Sequence, residues 1–546
     1  MAGIGFELKK LFDEDMYTKR ASAYLYSAVV AAGPWLLTVI TLNILNILAD
    51  NLFIDITQKD LFMGTIIYSF IFSQILVSPL QMMMTRYIAD KLYEKKYKLI
   101  GGSFIGVLKM ALLIGLVLVI IYYYGKNISL SYKVLAGIFF LTITSIWVFM
   151  IYLSAIKNYK IILIAFFSGS LFSIISAVGL LNSSIYINFY NEAFKILLAF
   201  TMGLIVTGSI LFLKILKTFS FTGSHSYDFI KSFSKYSILL FIGLFYTVGL
   251  WIDDFIIWFS NLGVDVFNTY RFAPIYDNAI FWAYLTIIPT ITLFLVNIET
   301  EFYVKYKKYY GLIKKNATLE SIKNAEDEMV RVLFKEIFYT IEIQAILTIV
   351  FIIISGRVFS FLGYPVLVRE IFQITALGAL CNAFLLIVIL VMLYFEARLF
   401  AFFSSALFLI GNSFWTYYFL NKGENYFGFG YFIGALISFL VAFLLLILFI
   451  KNITFYTFSS QPIFSKNKNL IWDKLIKLIK KYQLKKIRIL KYFDKNFIKI
   501  IILIIIVISS ILMFKKPEKE YRYKQDKKVK KENSLEGREK ISPDNY

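Results

Sequence analysis

Cysteine and histidine are almost missing: the chain of 546 residues has one of each, Cys381 and His225. A single cysteine excludes an intramolecular disulfide and a cysteine-based zinc cluster. A single histidine excludes a multi-histidine metal or catalytic arrangement, so neither a metal site nor a cofactor is expected. The phosphate-binding pattern G-x-x-x-x-G-K-[ST] is absent, and the stretch TGSHS (222–226) has neither its lysine nor a preceding strand. A membrane acyltransferase needs a histidine at membrane depth, whereas His225 falls in a loop. A polyprenyl-substrate glycosyltransferase needs a carboxylate cluster on a large soluble domain, and no loop here is long enough to form one. Enzyme chemistry is therefore not expected.

Charge is also scarce, at 17% of residues against 59% hydrophobic. Apolar runs recur along most of the chain, each near the ~20 residues that cross a bilayer core. They fall near 24–48, 62–84, 101–124, 134–156, 161–182, 193–216, 236–260, 279–297, 338–356, 370–395, 399–421 and 427–450. This is the pattern of an all-α polytopic membrane protein with twelve spans. With the N-terminus inside, the inner segments up to residue 450 hold 24 basic residues and the outer segments 8. That bias fits the positive-inside rule and places both ends of the core in the cytoplasm. The net charge of +22 thus reflects topology rather than a nucleic-acid partner.

The inner loop at 217–235 divides the spans into an N-lobe (24–216) and a C-lobe (236–451), six helices each. A second inner loop, 298–337, has 8 basic and 7 acidic residues and reads as a helical hairpin beneath the C-lobe. Internal symmetry is faint but present: AAGPW (31–35) in the first span matches TVGLW (247–251) in the seventh, and repeated halves are common in secondary transporters. Residues 1–23 lack the apolar core and cleavage site of a secretory signal and read as an amphipathic segment on the inner face. Residues 452–499, with 12 basic and 2 acidic residues, have the composition of a helix lying on anionic lipid. The apolar run 500–514 is a candidate thirteenth span, although it is short, and 515–546 reads as a disordered basic tail.

Polar groups at membrane depth are candidates for function because burying them is unfavourable. Lys109 lies within the third span. Glu396 and Arg398 flank a tight inner turn and suggest a local ion pair. Asn382 and Asn412 are placed to hydrogen-bond between helices. Asp253 and Asp254, in WIDDFIIWF (251–259), are adjacent, so they point about 100° apart on a helix and cannot both face lipid. Three outcomes stand open for them: a hydrated cavity, a cationic partner such as Lys109, Arg271 or Arg357, or a hydrogen bond to a neighbouring helix. The flanking Trp251, Phe255 and Trp258 suit either a sugar path or an interfacial aromatic belt.

Several stretches resemble one family: MAGIGFELKKLF at the start, AAGPW (31–35), GLWIDDFIIWF (249–259), and PIYDNAIFWAYLTIIPTITLFLVNIETEFYVKYKKYY (274–310). LYFEARLFAF (393–402) and FGFGYFIGAL (427–436) complete the set. The chain is similar over roughly residues 1–452 to the PelG family of Pel exopolysaccharide transporters. These belong to the polysaccharide-transporter branch of the multidrug/oligosaccharidyl-lipid/polysaccharide flippase superfamily. The resemblance implies two six-helix lobes around a central cavity, alternating access, and export of a cationic, amino-sugar-rich polymer across the bacterial cytoplasmic membrane. On that basis Asp253, Asp254 and Asp277 are expected to meet ammonium groups near the outer exit, or a coupling ion. Expected partners are a cytoplasmic Pel-type glycosyltransferase and companion Pel membrane proteins, with 298–337 and 452–499 as docking surfaces. The C-terminal extension departs from the family pattern. Two other functions compete: a flippase for lipid-linked oligosaccharides, and a non-transporting scaffold for a glycosyltransferase.

Overall fold

The structure, a computed structural model, describes residues 17–51, 56–156, 159–182, 191–219, 227–297 and 301–459. The expectations for residues 1–16, for His225 and for the chain beyond residue 459 lie outside the described residues. With them lie most of the basic segment and the candidate thirteenth span.

In a bilayer each backbone polar group needs a partner within its own segment, which leaves helices as the simple solution for long apolar runs. Among the described residues, twelve helical stretches are long and apolar enough to cross a membrane. The first six spans are α1 (Tyr17–Asn51), α2 (Ile56–Tyr93), α3 (Tyr97–Tyr123), α4 (Leu130–Ile156), α5 (Tyr159–Leu181) and α6 (Asn191–Thr218). The short α7 (Ile230–Lys235) leads into α8 (Ser237–Trp258), the seventh span. A two-stranded antiparallel hairpin follows, β1 (Val264–Val266) and β2 (Tyr270–Phe272), with Val264 opposite Phe272.

The eighth span is two helices, α9 (Pro274–Thr286) and α10 (Ile288–Asn297), with a break at Ile287 just before Pro289, which has no N–H to continue the ladder. Then come α11 (Tyr303–Lys314), α12 (Leu319–Phe361), α13 (Val366–Tyr394), α14 (Arg398–Leu420), α15 (Phe429–Lys451) and α16 (Ile453–Ser459). The second arm of the 298–337 segment and the ninth span are therefore one 43-residue helix, opened by Thr318, whose hydroxyl accepts from Ser321 N. Along α3, Leu113, Leu116, Val117, Ile120 and Ile121 are exposed, as expected for a lipid-facing side.

The packing order repeats between halves. In the first lobe α5 packs on α6, α4 on both α2 and α6, and α1 on α5. In the second lobe α14 packs on α15, α13 on both α9 and α15, and α8 on α14. The lobes meet along two equivalent seams, α2 against α8 and α10 against α1. The matched tryptophans lie on these seams. Trp251 of α8 reaches Gln74 of α2, and Trp35 of α1 meets the ring of Phe281 in α9. The turns divide the molecule into two faces. The linker face has the α2–α3 and α13–α14 turns, α7 and α11; the opposite, hairpin face has β1 and β2.

Close approach within the C-lobe depends on small residues. A Cβ placed at Gly430 would lie 2.2 Å from the Cα of Thr416, and one at Gly434 would lie 2.7 Å from the Cα of Asn412. These glycines, four residues apart, let α15 approach the backbone of α14. Gly430→Ala is accordingly expected to destabilise the protein by about 1–3 kcal/mol through overpacking. Gly311→Ala, in open space on α11, should be neutral or stabilising by up to about 1 kcal/mol. Thermal unfolding of the detergent-purified protein would check this; equal midpoints for the two variants would contradict the packing described.

Candidate functional site

The helix α8 presents different chemistry on its two sides. Residues spaced i, i+4 and i+7 share a face, and Trp251, Phe255 and Trp258 all turn toward α2. Trp251 Nε1 donates to Gln74 Oε1 at 3.0 Å. Phe255 stacks on Phe72 with ring centroids 5.5 Å apart, and Trp258 stacks on Tyr68 at 5.0 Å. Trp258 is thus buried at the seam rather than placed in an interfacial belt.

The other side of α8 faces the interior of the C-lobe and carries Asp253, which is fully buried. Its Oδ2 accepts from the Tyr276 hydroxyl at 2.6 Å, and its Oδ1 accepts from Asn412 Nδ2 at 2.9 Å. Asn412 also donates to the Gly249 carbonyl at 2.9 Å, and its Oδ1 accepts from the Thr416 hydroxyl at 3.0 Å. Asp253 is therefore held from α9 and α14 at once. Asp254 differs: it is 2% exposed, and its Oδ2 has no hydrogen-bond partner. Asp277, partly buried, ties the end of α8 to the start of α9. Its Oδ1 accepts from Trp258 Nε1 at 2.9 Å and its Oδ2 from Ala273 N at 3.1 Å. Among the described residues, no lysine or arginine makes an ion pair with any of these three carboxylates.

Arg271, which the sequence offers as a counter-ion, is committed elsewhere. Its Nε donates to the Trp258 carbonyl at 2.6 Å, its NH2 group donates to the Ser260 carbonyl at 3.4 Å, and its guanidinium lies over the Phe259 ring. The hairpin folds back over the end of α8 and so consumes these donors. Lys109 sits in α3 of the other lobe and Arg357 in α12; neither pairs with the carboxylates. Trp251, expected near the path, lies at the seam. The site also includes Tyr276 and Gln74, which sequence reading missed: a tyrosine or glutamine at membrane depth carries little signal until its partner is known. Lys195, one of the eight basic residues counted to the outer segments in the sequence, is a buried residue of α6.

The hairpin crosses to the N-lobe. Tyr122 donates to the Thr269 carbonyl at 2.5 Å, and the Tyr123 and Tyr270 hydroxyls share a hydrogen bond of 2.5 Å. The Thr65 hydroxyl donates to Tyr270 at 3.1 Å, while the Tyr68 hydroxyl donates to the Arg271 carbonyl at 2.8 Å and accepts from Arg271 N at 3.1 Å. Burial pushes the Tyr270 phenol up to about 12, so it stays neutral and able to share this network. At the linker face, Arg86 of α2 pairs with Glu396 at 2.5 Å, and Glu396 also binds Arg398. Asp90 accepts from the Tyr236 hydroxyl and lies 3.7 Å from Lys235. The sequence suggested the local pair Glu396–Arg398; Arg86, far away in the chain, completes it.

A model of the PelG family, described as "Putative exopolysaccharide Exporter (EPS-E)", matches residues 1–458. The chain belongs to this family. Among curated proteins none matches. Of solved structures, the chain is similar to a MOP superfamily transporter from Pyrococcus furiosus, with 13% identity and a TM-score of 0.54. That alignment covers 78% of this chain and 96% of the other. An outward-facing multidrug resistance MATE family transporter of the same superfamily gives 13% identity, a TM-score of 0.51, and coverage of 78% and 96%. A eukaryotic MATE transporter gives 13% identity, a TM-score of 0.50, and coverage of 79% and 97%. At such identities the likeness establishes a shared fold. The exporter family and this fold together make the chain a multi-pass membrane transporter of exopolysaccharide.

The hydrogen bonds to Asp253 make a stability forecast. Asn412→Leu removes a donor from a buried carboxylate and is expected to cost about 1–3 kcal/mol. Adding Asp253→Asn should restore part of that, because a neutral amide suffers less from the missing donor. The double-mutant comparison by thermal unfolding checks this, and strictly additive losses would contradict the coupling.

Proposed function

We propose that this protein exports a cationic, amino-sugar-rich, Pel-like exopolysaccharide across the bacterial cytoplasmic membrane, with the linker face in the cytoplasm. One observation carries the proposal. Asp253, Asp254 and Asp277 gather where α8 meets α9 without an ion-paired lysine or arginine, and Asp254 Oδ2 has no partner at all. An uncompensated buried carboxylate is unfavourable, so the cluster has a strong preference for an incoming cation. The ammonium groups of an amino-sugar polymer supply one. The loop-charge bias supports the orientation. Family membership supports the cargo class, and fold likeness supports motion of two lobes about their seams.

A second role for the same cluster is favoured by its burial. Asp253 is out of reach of a sugar ring in this conformation, which suits a small coupling cation such as a proton, taken up in one state and released in the other. On the linker face, α11 and the first half of α12 would receive the cytoplasmic Pel-type glycosyltransferase and the companion Pel membrane proteins.

Neutralising the one unpartnered carboxylate tests both roles. Asp254→Asn should reduce polymer export by about tenfold, equivalent to about 1.4 kcal/mol, at unchanged abundance in the membrane. If export then no longer responds to the pH gradient, the coupling role is favoured. Wild-type export by Asp254→Asn and by the Asp253→Asn/Asp254→Asn double variant would sink the proposal.

A further inference from the structure

We infer that the α2–α8 seam is a permanent hinge, and that the polymer crosses on the opposite side of the molecule, between α1 and the broken eighth span α9–α10. This rests on the two-lobe exporter proposed above and adds where its path lies.

The α2–α8 seam is fastened at three levels. At the hairpin face, the β1–β2 hairpin of the C-lobe is hydrogen-bonded to Tyr68, Tyr122 and Tyr123 of the N-lobe. Midway, Trp251 donates to Gln74, and Gly243 lets the helices close: a Cβ there would lie 2.5 Å from the Ser78 carbonyl oxygen. At the linker face, Arg86 pairs with Glu396 and Tyr236 with Asp90. Parting the lobes at the hairpin face would strip partners from several buried polar groups at once, Tyr270, Thr65 and Thr269 among them, which is unfavourable, while at the linker face the buried Tyr236 would lose its acceptor.

The other seam is built differently. Trp35 and Phe281 meet there as rings with centroids 6.3 Å apart. Among the side chains described on α1, those from 32 to 49, none makes a hydrogen bond or ion pair with the described side chains of α9 or α10. The helices of this seam also hold polar atoms that lack hydrogen-bond partners in this state: Asn46 Oδ1 on α1, Trp282 Nε1 on α9, and Thr290 Oγ1 and Asn297 Nδ2 on α10. Thr290 and Asn297, seven residues apart, share a face of α10. The helices on either side of this weakly bonded seam thus carry polar atoms without partners, which suit the hydroxyl and amide groups of a sugar chain once the helices move. The break at Ile287 gives its eighth span a joint on which to move.

Two cysteine pairs on a Cys381→Ser background test this in the full-length protein. Phe72→Cys with Phe255→Cys spans the hinge, and Trp35→Cys with Phe281→Cys spans the path. Each is bridged by a short thiol-specific cross-linker in cells producing the polymer. The hinge pair should keep most of its export when bridged, while the path pair loses about tenfold and recovers on reduction, as expected for a gating element. Loss of export on bridging the hinge pair, restored by reductant, would overturn the inference, as would full export with the path bridged. Spin labels at the same two pairs in purified protein give a readout that needs no export. A single narrow distance distribution at 72/255 and a broad or two-peaked one at 35/281 are expected; equal widths or the reverse would overturn it. Should the hinge contrast appear in a protein that moves no amino-sugar polymer, the proposed cargo fails while the hinge stands.

Discussion

The helix α8 cannot turn on its axis, and much of the molecule follows from that. One side presents Trp251, Phe255 and Trp258 to α2, and the other presents Asp253 to Tyr276 and Asn412. A rotation that satisfied the aromatic residues less well would strand the aspartate in an apolar medium, and the reverse holds too. The seam between lobes and the interior of the C-lobe are thereby coupled through a single helix. Hydrogen bonds in a low-dielectric interior are strong when made and unfavourable to leave unmade, so both faces resist change together.

This coupling gives the carboxylate cluster its character. Asp253 is satisfied by two helices, and Asp277 joins the end of α8 to the start of α9. Asp254, next to Asp253 in the chain, has an oxygen left over. The arrangement keeps two of the acids rigid and leaves one available. The hairpin also holds Arg271 away from an ion pair with these acids, because its Nε and NH2 groups donate to the carbonyls at the end of α8. An arginine that closes a backbone turn does not form an ion pair with these acids, and this is the basis on which the cluster is proposed to receive a cation from outside.

The spans were legible in the sequence because a bilayer demands long apolar helices, and little else in a chain produces twelve of them. The paired G-x-W stretches correctly marked equivalent positions, which turn out to be the two seams. The hairpin was not legible. Its strands, VDV and YRF, are three residues each, and its turn places Phe267 and Asn268 at positive φ. Phenylalanine is a poor residue for that conformation, so the usual turn signal is absent. Asp253 and Asp254 stood out as polar groups at membrane depth, yet their partners could not be read. Tyr276 and Asn412 come from separate helices, and only the fold brings them together. The same holds for Arg86 and Glu396, where half of the linker-face cluster is local and half is distant.

The central claim is that the uncompensated acids of the C-lobe serve a cationic polymer. The most direct measurement places the purified full-length protein in liposomes and compares two oligosaccharides of equal length, one fully N-acetylated and one partly deacetylated. The account predicts that the deacetylated, positively charged chain is transported faster, and that the difference disappears as added salt screens the attraction. Equal transport of the neutral and the charged oligosaccharide at low salt would contradict it.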